Sequence, residues 1–92
     1  MTAYEVLLSN TAAKEFKTLP RIEQDRMRDS LKELAKDPYN NSHRLDTKRL
    51  SGTNRVYYRL RVGNYRAIYF LDESVVKIVR IATRSDAYSW LD

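Results

Sequence analysis

Cysteine is absent from this 92-residue chain, histidine occurs once, and proline and glycine occur twice each. Without cysteine there is no disulfide framework, no thiolate nucleophile and no cysteine-based zinc site, and His43 alone cannot build a multi-histidine metal centre. No apolar run approaches the roughly 18 residues of a membrane span. The N-terminus MTAYEVLLSN has neither the basic start nor the apolar middle of a signal peptide, so the chain reads as soluble and cytoplasmic. There are no repeats, no low-complexity stretches and no Pro/Gly/Ser-rich linker. At this length the chain reads as one domain over residues 1–92, burying only about 60–65% of its unfolded surface in one modest core.

What remains is a folded composition with a local excess of one sign of charge. Hydrophobic residues make up 42% of the chain and charged residues 32%, with 17 Lys+Arg against 12 Asp+Glu. Residues 43–66 hold Arg44, Lys48, Arg49, Arg55, Arg59, Arg61 and Arg66 against Asp46 alone, a net +6, and the rest of the chain carries −1. Six of the seven cations are arginine, whose planar fork of donors matches phosphate oxygens. Such a concentration points to a polyanion, most simply nucleic acid.

The elements follow from periodicity. Tyr4 to Leu8 open as a strand. Ser9 or Asn10 can cap a helix in which Ala12, Phe16 and Leu19 form one apolar stripe, and Pro20 ends it while also suiting the first turn of the next helix. Residues 21–36 repeat the spacing with Met27, Leu31 and Leu34, and Ile22 near the start. Asp37-Pro38 stops this second helix. A polar loop spans residues 38–47, and Lys48-Arg49-Leu50 begins strand character before a Ser51-Gly52 turn. Residues 55–62 alternate, with Val56, Tyr58, Leu60 and Val62 on a packing face and Arg55, Tyr57, Arg59 and Arg61 on the other. Gly63-Asn64 is a two-residue hairpin turn, residues 65–71 return, Asp72-Glu73-Ser74 turns again, and residues 75–82 form the last strand. Ser85 can cap a short C-terminal helix bearing Tyr88, Trp90 and Leu91. The fold class is α+β: an N-terminal strand, an antiparallel helix hairpin packed on a mainly antiparallel four- to five-stranded sheet, and a short C-terminal helix.

The Gly63-Asn64 turn fixes a register in which Val62 pairs with Tyr65 and Arg61 with Arg66. Like charges directly opposite one another destabilise a sheet, so Arg59, Arg61 and Arg66 on one face call for an anion. Tyr57, on the same face, can stack on unpaired bases, whereas Tyr65 falls on the packing face.

The segment Lys48-Arg49-Leu50-Ser51-Gly52, followed by Tyr58-Arg59-Leu60-Arg61-Val62-Gly63-Asn64-Tyr65-Arg66-Ala67-Ile68-Tyr69, resembles the central signature of the RelE/ParE toxin superfamily of toxin–antitoxin systems. The order of elements is similar too, so the likeness covers nearly the whole chain. It implies a RelE-like compact domain and a ribosome-dependent endoribonuclease that cuts mRNA in the decoding site. It also implies a cognate antitoxin as partner, with operator DNA engaged only through the toxin–antitoxin complex. Matched by motif, the basic pair on the central strand falls on Arg59 and Arg61, the turn arginine on Arg66, the arginine after the last strand on Arg84, and the C-terminal tyrosine on Tyr88. Well-studied members carry lysines where this chain has Arg59 and Arg61. Residues 82–88 also lack the glycine and histidine often found before the arginine.

A cofactor-free, metal-free cleavage fits this residue set, with the 2′-hydroxyl attacking the adjacent phosphate. Tyr88 is then the candidate base, Arg61 and Arg66 the phosphate clamp, and Arg84 the group at the leaving oxygen. Arg44, Lys48, Arg49, Arg55, Tyr57 and Arg59 are candidates for holding RNA or ribosome. Two other readings stay open: a ParE-like inhibitor of DNA gyrase without nuclease activity, and a non-catalytic RNA-binding module.

Overall fold

A computed structural model describes residues 3–50 and 55–83. The elements run β1 (Glu5–Leu8), α1 (Asn10–Thr18), α2 (Arg21–Lys36), β2 (Asp46–Arg49), β3 (Tyr58–Val62), β4 (Tyr65–Asp72) and β5 (Val75–Thr83). The five strands form one sheet in the order β1-β5-β4-β3-β2. β1 is parallel to β5, and every other pairing is antiparallel. The expected Ser51-Gly52 turn and the C-terminal helix, with Ser85, Tyr88, Trp90 and Leu91, lie outside the described residues. No described helix is long and apolar enough to cross a membrane.

The helix hairpin forms as its apolar spacing predicts. The hydroxyl of Ser9, the N-cap of α1, accepts a hydrogen bond from the Ala12 amide at 3.0 Å. Pro20 stands immediately before α2 as its N-cap, where a missing N–H costs nothing. Asp37 closes the helix. Ala12, Leu19, Met27, Leu31 and Leu34 are buried against Leu60, Val62, Ala67, Tyr69, Val76, Ile78 and Ile81 from the sheet. Burying each large aliphatic side chain contributes about 1.5–3 kcal/mol relative to leaving it exposed. Ile22 does not join this layer and is 67% exposed. At five residues before Met27 it sits well round the helix from the buried stripe.

Two strand starts differ from expectation by two residues or more. β2 begins at Asp46, inside the predicted loop, because Asn40 clamps the loop closed. The Asn40 Oδ1 accepts from the Leu45 amide at 3.1 Å, and Nδ2 donates to the Leu45 carbonyl and to Thr47 Oγ1. Asn40 adopts φ 53°, a left-handed conformation that asparagine tolerates. β3 begins at Tyr58 rather than Arg55, and Val56 is 43% exposed instead of packed. Its partner β2 reaches only to Arg49, opposite Tyr58, with one further bond from the Leu50 amide to the Tyr57 carbonyl.

The Gly63-Asn64 turn matches its predicted register, pairing Val62 with Tyr65 and Arg61 with Arg66. Gly63 has φ 60°, a value suited to glycine at the first central position of a tight hairpin.

β1 ends at Leu8, and among the described residues no strand lies beside the edge of β5 beyond Ile78. Side chains of α1 replace the missing ladder. Ser9 Oγ donates to the Val79 carbonyl at 2.9 Å, and Glu15 Oε1 accepts from the Ile81 amide at 2.8 Å. Glu15 also receives Arg80 Nε and Nη2 at 2.9–3.1 Å, a fork-to-fork ion pair. Opposite this point β5 shifts register against β4 between Ile68 and Tyr69.

Candidate phosphate-binding face

Strand alternation places Asp46 and Lys48 of β2, Arg59 and Arg61 of β3, and Arg66 and Ile68 of β4 on the sheet face away from the helices. Asp46 lies directly opposite Arg61, Lys48 opposite Arg59, and Arg66 opposite Arg61. The face predicted from the hairpin register is therefore present, with β2 extending it.

The arginines are not equivalent. Arg61 is exposed. Arg59 is tied down: its Nη1 donates to Asp46 Oδ1 at 2.8 Å and to the Asp46 carbonyl at 3.2 Å, leaving its side chain 17% exposed. Arg66, expected with Arg61 as a phosphate clamp, is only 8% exposed. Its Nη1 turns back toward the Tyr65 and Gly63 carbonyls at 3.3 and 3.5 Å. Ile68 beside it is fully buried although it does not belong to the helix-side core.

The anion that three clustered arginines call for is supplied, in part, from within the chain. The hydrogen bond from Arg59 holds the Asp46 carboxyl below the usual carboxylate range against the opposing effect of burial, and the charges of Arg59, Arg61 and Arg66 act in the same direction as the hydrogen bond. Asp46 was visible in the sequence only as the single acid of the basic segment. The expected Ser51-Gly52 turn would have set it opposite Tyr57, whereas the observed register sets it opposite Arg61.

A second group adjoins this face around the half-buried ring of Phe70. The Arg55 guanidinium lies 4.2 Å from the ring centroid, Lys77 Nζ lies 5.8 Å away, and Tyr57 meets it edge-on at 5.9 Å. Tyr57 thus shares the basic side, as its alternation predicts. Phe70 and Lys77 were not singled out from the sequence, where Phe70 reads as one more apolar residue of β4. Tyr65 packs against the core. Tyr69 is buried beneath Tyr58, their rings stacked at 5.4 Å, and burial raises its hydroxyl far above the usual phenol range.

Two predicted RNA-contacting cations stand elsewhere. Arg44 lies 3.9 Å from Glu33 of α2, and Arg49 belongs by alternation to the opposite side of edge strand β2. Arg84 and Tyr88 lie outside the described residues. The described face therefore combines exposed guanidinium, a tethered guanidinium and an aromatic–cation group, a donor set suited to phosphodiester oxygens and unpaired bases.

A family model described as the ParE toxin of type II toxin–antitoxin systems matches residues 6–88. The chain belongs to the RelE/ParE toxin superfamily. Toxin RelE3 of Methanocaldococcus jannaschii is 29% identical to this toxin over 86 residues, covering 94% of this chain and 97% of that one. The archaeal RelE–RelB complex from Pyrococcus horikoshii OT3 contains a chain 30% identical, with TM-score 0.75 over 91% of this chain and 97% of the other. The isolated E. coli RelE toxin, at 24% identity, has the same fold, with TM-score 0.72 over 96% and 94% of the two chains. This chain is a toxin of a type II toxin–antitoxin system, of RelE type.

Proposed function

We propose that this toxin is a metal-independent endoribonuclease that cleaves mRNA in the ribosomal A site and thereby inhibits translation. The observation that carries the reading is the shared placement of Arg59, Arg61 and Arg66 on one sheet face, beside Tyr57 and Arg55. The likeness to RelE relatives supports it.

In the proposed reaction the 2′-oxygen forms a bond to the adjacent phosphorus and the bond to the 5′-oxygen breaks, leaving a 2′,3′-cyclic phosphate and a 5′-hydroxyl. Arg61 and Arg66 stabilise the charge of the pentacoordinate phosphorus, with Arg66 turning out from its folded-back position. Tyr88 takes the 2′ proton, and Arg84 stabilises or protonates the leaving oxygen. Lys48, Arg55, Tyr57 and Arg59 hold the RNA strand. An unperturbed tyrosine has pKa about 10, so only about 0.1% is phenolate at pH 7, a deficit of roughly 4 kcal/mol that a guanidinium brought beside a tyrosine reduces. Arginine, with pKa above about 12, is a weak general acid. Orientation of the message by the ribosome can contribute about 7–11 kcal/mol, which makes cleavage conditional on ribosomes. Action there places the toxin in the cytoplasm.

The partner is a cognate antitoxin, as in the RelE–RelB complexes of the relatives. The basic sheet face suits acidic antitoxin segments. A cavity of about 340 Å³ between β1 and the helix hairpin, lined by Val6, Leu8, Phe16 and Leu31 with Arg28 and Lys32, suits an apolar segment that carries acidic residues. Operator DNA is reached through that complex.

Primer extension on ribosome-bound mRNA tests the proposal. Wild type should produce A-site cuts, while Arg66→Ala and Tyr88→Phe should lose most cleavage and retain binding. Equal rates on naked and ribosome-bound RNA would sink the ribosome requirement. The ParE description of the matching family model favours one competing reading, inhibition of DNA gyrase. A supercoiling assay run in parallel separates the two, and gyrase inhibition without mRNA cleavage would replace the nuclease reading.

A further inference from the structure

We propose that Asp46 is a competing anion built into the basic face: its carboxylate occupies Arg59 in the unbound toxin, and a phosphodiester must displace it to recruit that guanidinium. The inference rests on the reading that this face holds RNA, and it assigns Asp46 a role in setting how tightly.

The geometry is specific. Asp46 reaches diagonally across the β2–β3 ladder to Arg59 at 2.8 Å, while its own backbone partner is Arg61. One carboxylate therefore stands beside two of the three clustered arginines. Lys48 is opposite Arg59 and Arg66 opposite Arg61, so the described charged groups nearest the carboxylate on this face are cationic. Asp46 is the single acidic residue between positions 43 and 66, so no second carboxylate of that segment can take its place. Its side chain is 53% exposed against 17% for Arg59. The pair thus opens toward solvent on the aspartate side, where an incoming phosphate arrives. Because the carboxylate half of the pair is exposed, it can be exchanged for a polyanion that brings several phosphates at once. Until it exchanges, Asp46 also repels phosphate from the β2 side of the face.

The consequence is a threshold. A single phosphate or a short flexible RNA meets a face in which one cation is already satisfied and one anion points outward. A strand held in position over the face can replace Asp46 and gain a further contact.

Fluorescence anisotropy with a labelled, non-cleavable 2′-O-methyl uridine 12-mer, across a range of salt concentrations, reads this out. Asp46→Asn should bind about fivefold more tightly at low salt, since a nearby unit charge has been removed. Its salt dependence should resemble wild type, because Arg59 is recruited in both proteins and the counterion release is unchanged. Asp46→Glu should behave like wild type. In an Arg59→Ala background the gain from Asp46→Asn should shrink to less than half. Unchanged or weaker binding by Asp46→Asn overturns the proposal, as does a gain that persists undiminished without Arg59. A measurement on wild type avoids any folding defect: the carboxyl carbon shift of Asp46, followed through acid titration, should have a higher midpoint with the oligomer bound. An unmoved midpoint with the oligomer bound, or an oligomer that binds neither wild type nor Asp46→Asn, also overturns it. Ribosomal cleavage measured in parallel keeps the two ideas apart. Tighter binding by Asp46→Asn with no A-site cleavage in wild type fails the nuclease reading alone, and cleavage with unaltered binding fails this one alone.

Discussion

Glu15 is the residue whose replacement should cost this domain most for its size and exposure. Its carboxylate receives the Arg80 guanidinium through two donors and the Ile81 amide, and both ion-pair side chains are about three-quarters buried, at 21% and 25% exposure. A hydrogen bond to a charged group contributes about 1.5–3 kcal/mol, and an orphaned backbone N–H costs about 1–3 kcal/mol. The two overlap, because removing Glu15 also lets Arg80 relax toward water. Glu15→Ala should therefore destabilise the fold by about 2–4 kcal/mol, a large part of the roughly 5–15 kcal/mol typical of a domain. Urea unfolding followed by circular dichroism reads this directly. With a slope near 1–2 kcal/mol per molar, expected for a small protein, the midpoint should fall by about 2 M. Glu15→Gln keeps an oxygen for the Ile81 amide and should lose about half as much. A Glu15→Ala midpoint within about 0.3 M of wild type would refute the idea that α1 side chains substitute for a missing strand, and so would a glutamine variant as damaged as the alanine one.

Gly63→Ala should destabilise by about 1–2 kcal/mol in the same assay, since φ 60° disfavours a side chain and a Cβ would sit 3.0 Å from Glu23 Oε2. Adding Glu23→Ala should recover only the contact part of that loss. Ser9→Ala should cost about 1–2 kcal/mol, because the hydroxyl both caps α1 and donates to Val79, so thermal melting should show a larger drop than for Thr18→Ala. Asp37 accepts from the Ser42 amide and hydroxyl and from the Asn41 amide, and these bonds lower its pKa below the ordinary 3.8. Its contribution is complete above pH 4 or so and is lost as pH falls through the lower folded-state value. Amide exchange or NMR shifts of Asn41 and Ser42 should change in that acid range, and Asp37→Asn should abolish the transition.

Much of the fold was legible because its signals are local. Ser9 precedes a stripe at helical spacing, Asp37-Pro38 interrupts another, and Gly63-Asn64 leaves only one sensible pairing for the strands beside it. The signals that failed depend on what a segment meets. Val56 continues a clean alternation, yet the strand cannot extend where β2 has ended. Ile22 is apolar, but it falls off the stripe defined by Met27, Leu31 and Leu34. The site shows the same division. Alternation put Arg59, Arg61 and Tyr57 on one side, while the tether from Asp46 and the folded-back Arg66 required knowing where a third strand lies and how each guanidinium is satisfied. The links from Glu15 to Arg80 and Ile81 span 65 and 66 residues and leave no local trace.

That span also bears on how the toxin is made. Among the described strands β1 pairs only with β5, the Ser9 hydroxyl bonds Val79, and Glu15 bonds Arg80 and Ile81, so β1 and α1 find partners some 65–70 residues further along the chain. Contacts of such long sequence separation form late, after loop-closure entropy has been overcome. During synthesis, which proceeds from the N-terminus at about 5–20 residues per second, β1 and α1 must wait for residues 75–83 to emerge. The basic face lies on β2, β3 and β4 of the same sheet, and β4 takes β5 as its other neighbour. Completion of the sheet is in this way tied to the emergence of β5 rather than to that of the basic strands themselves.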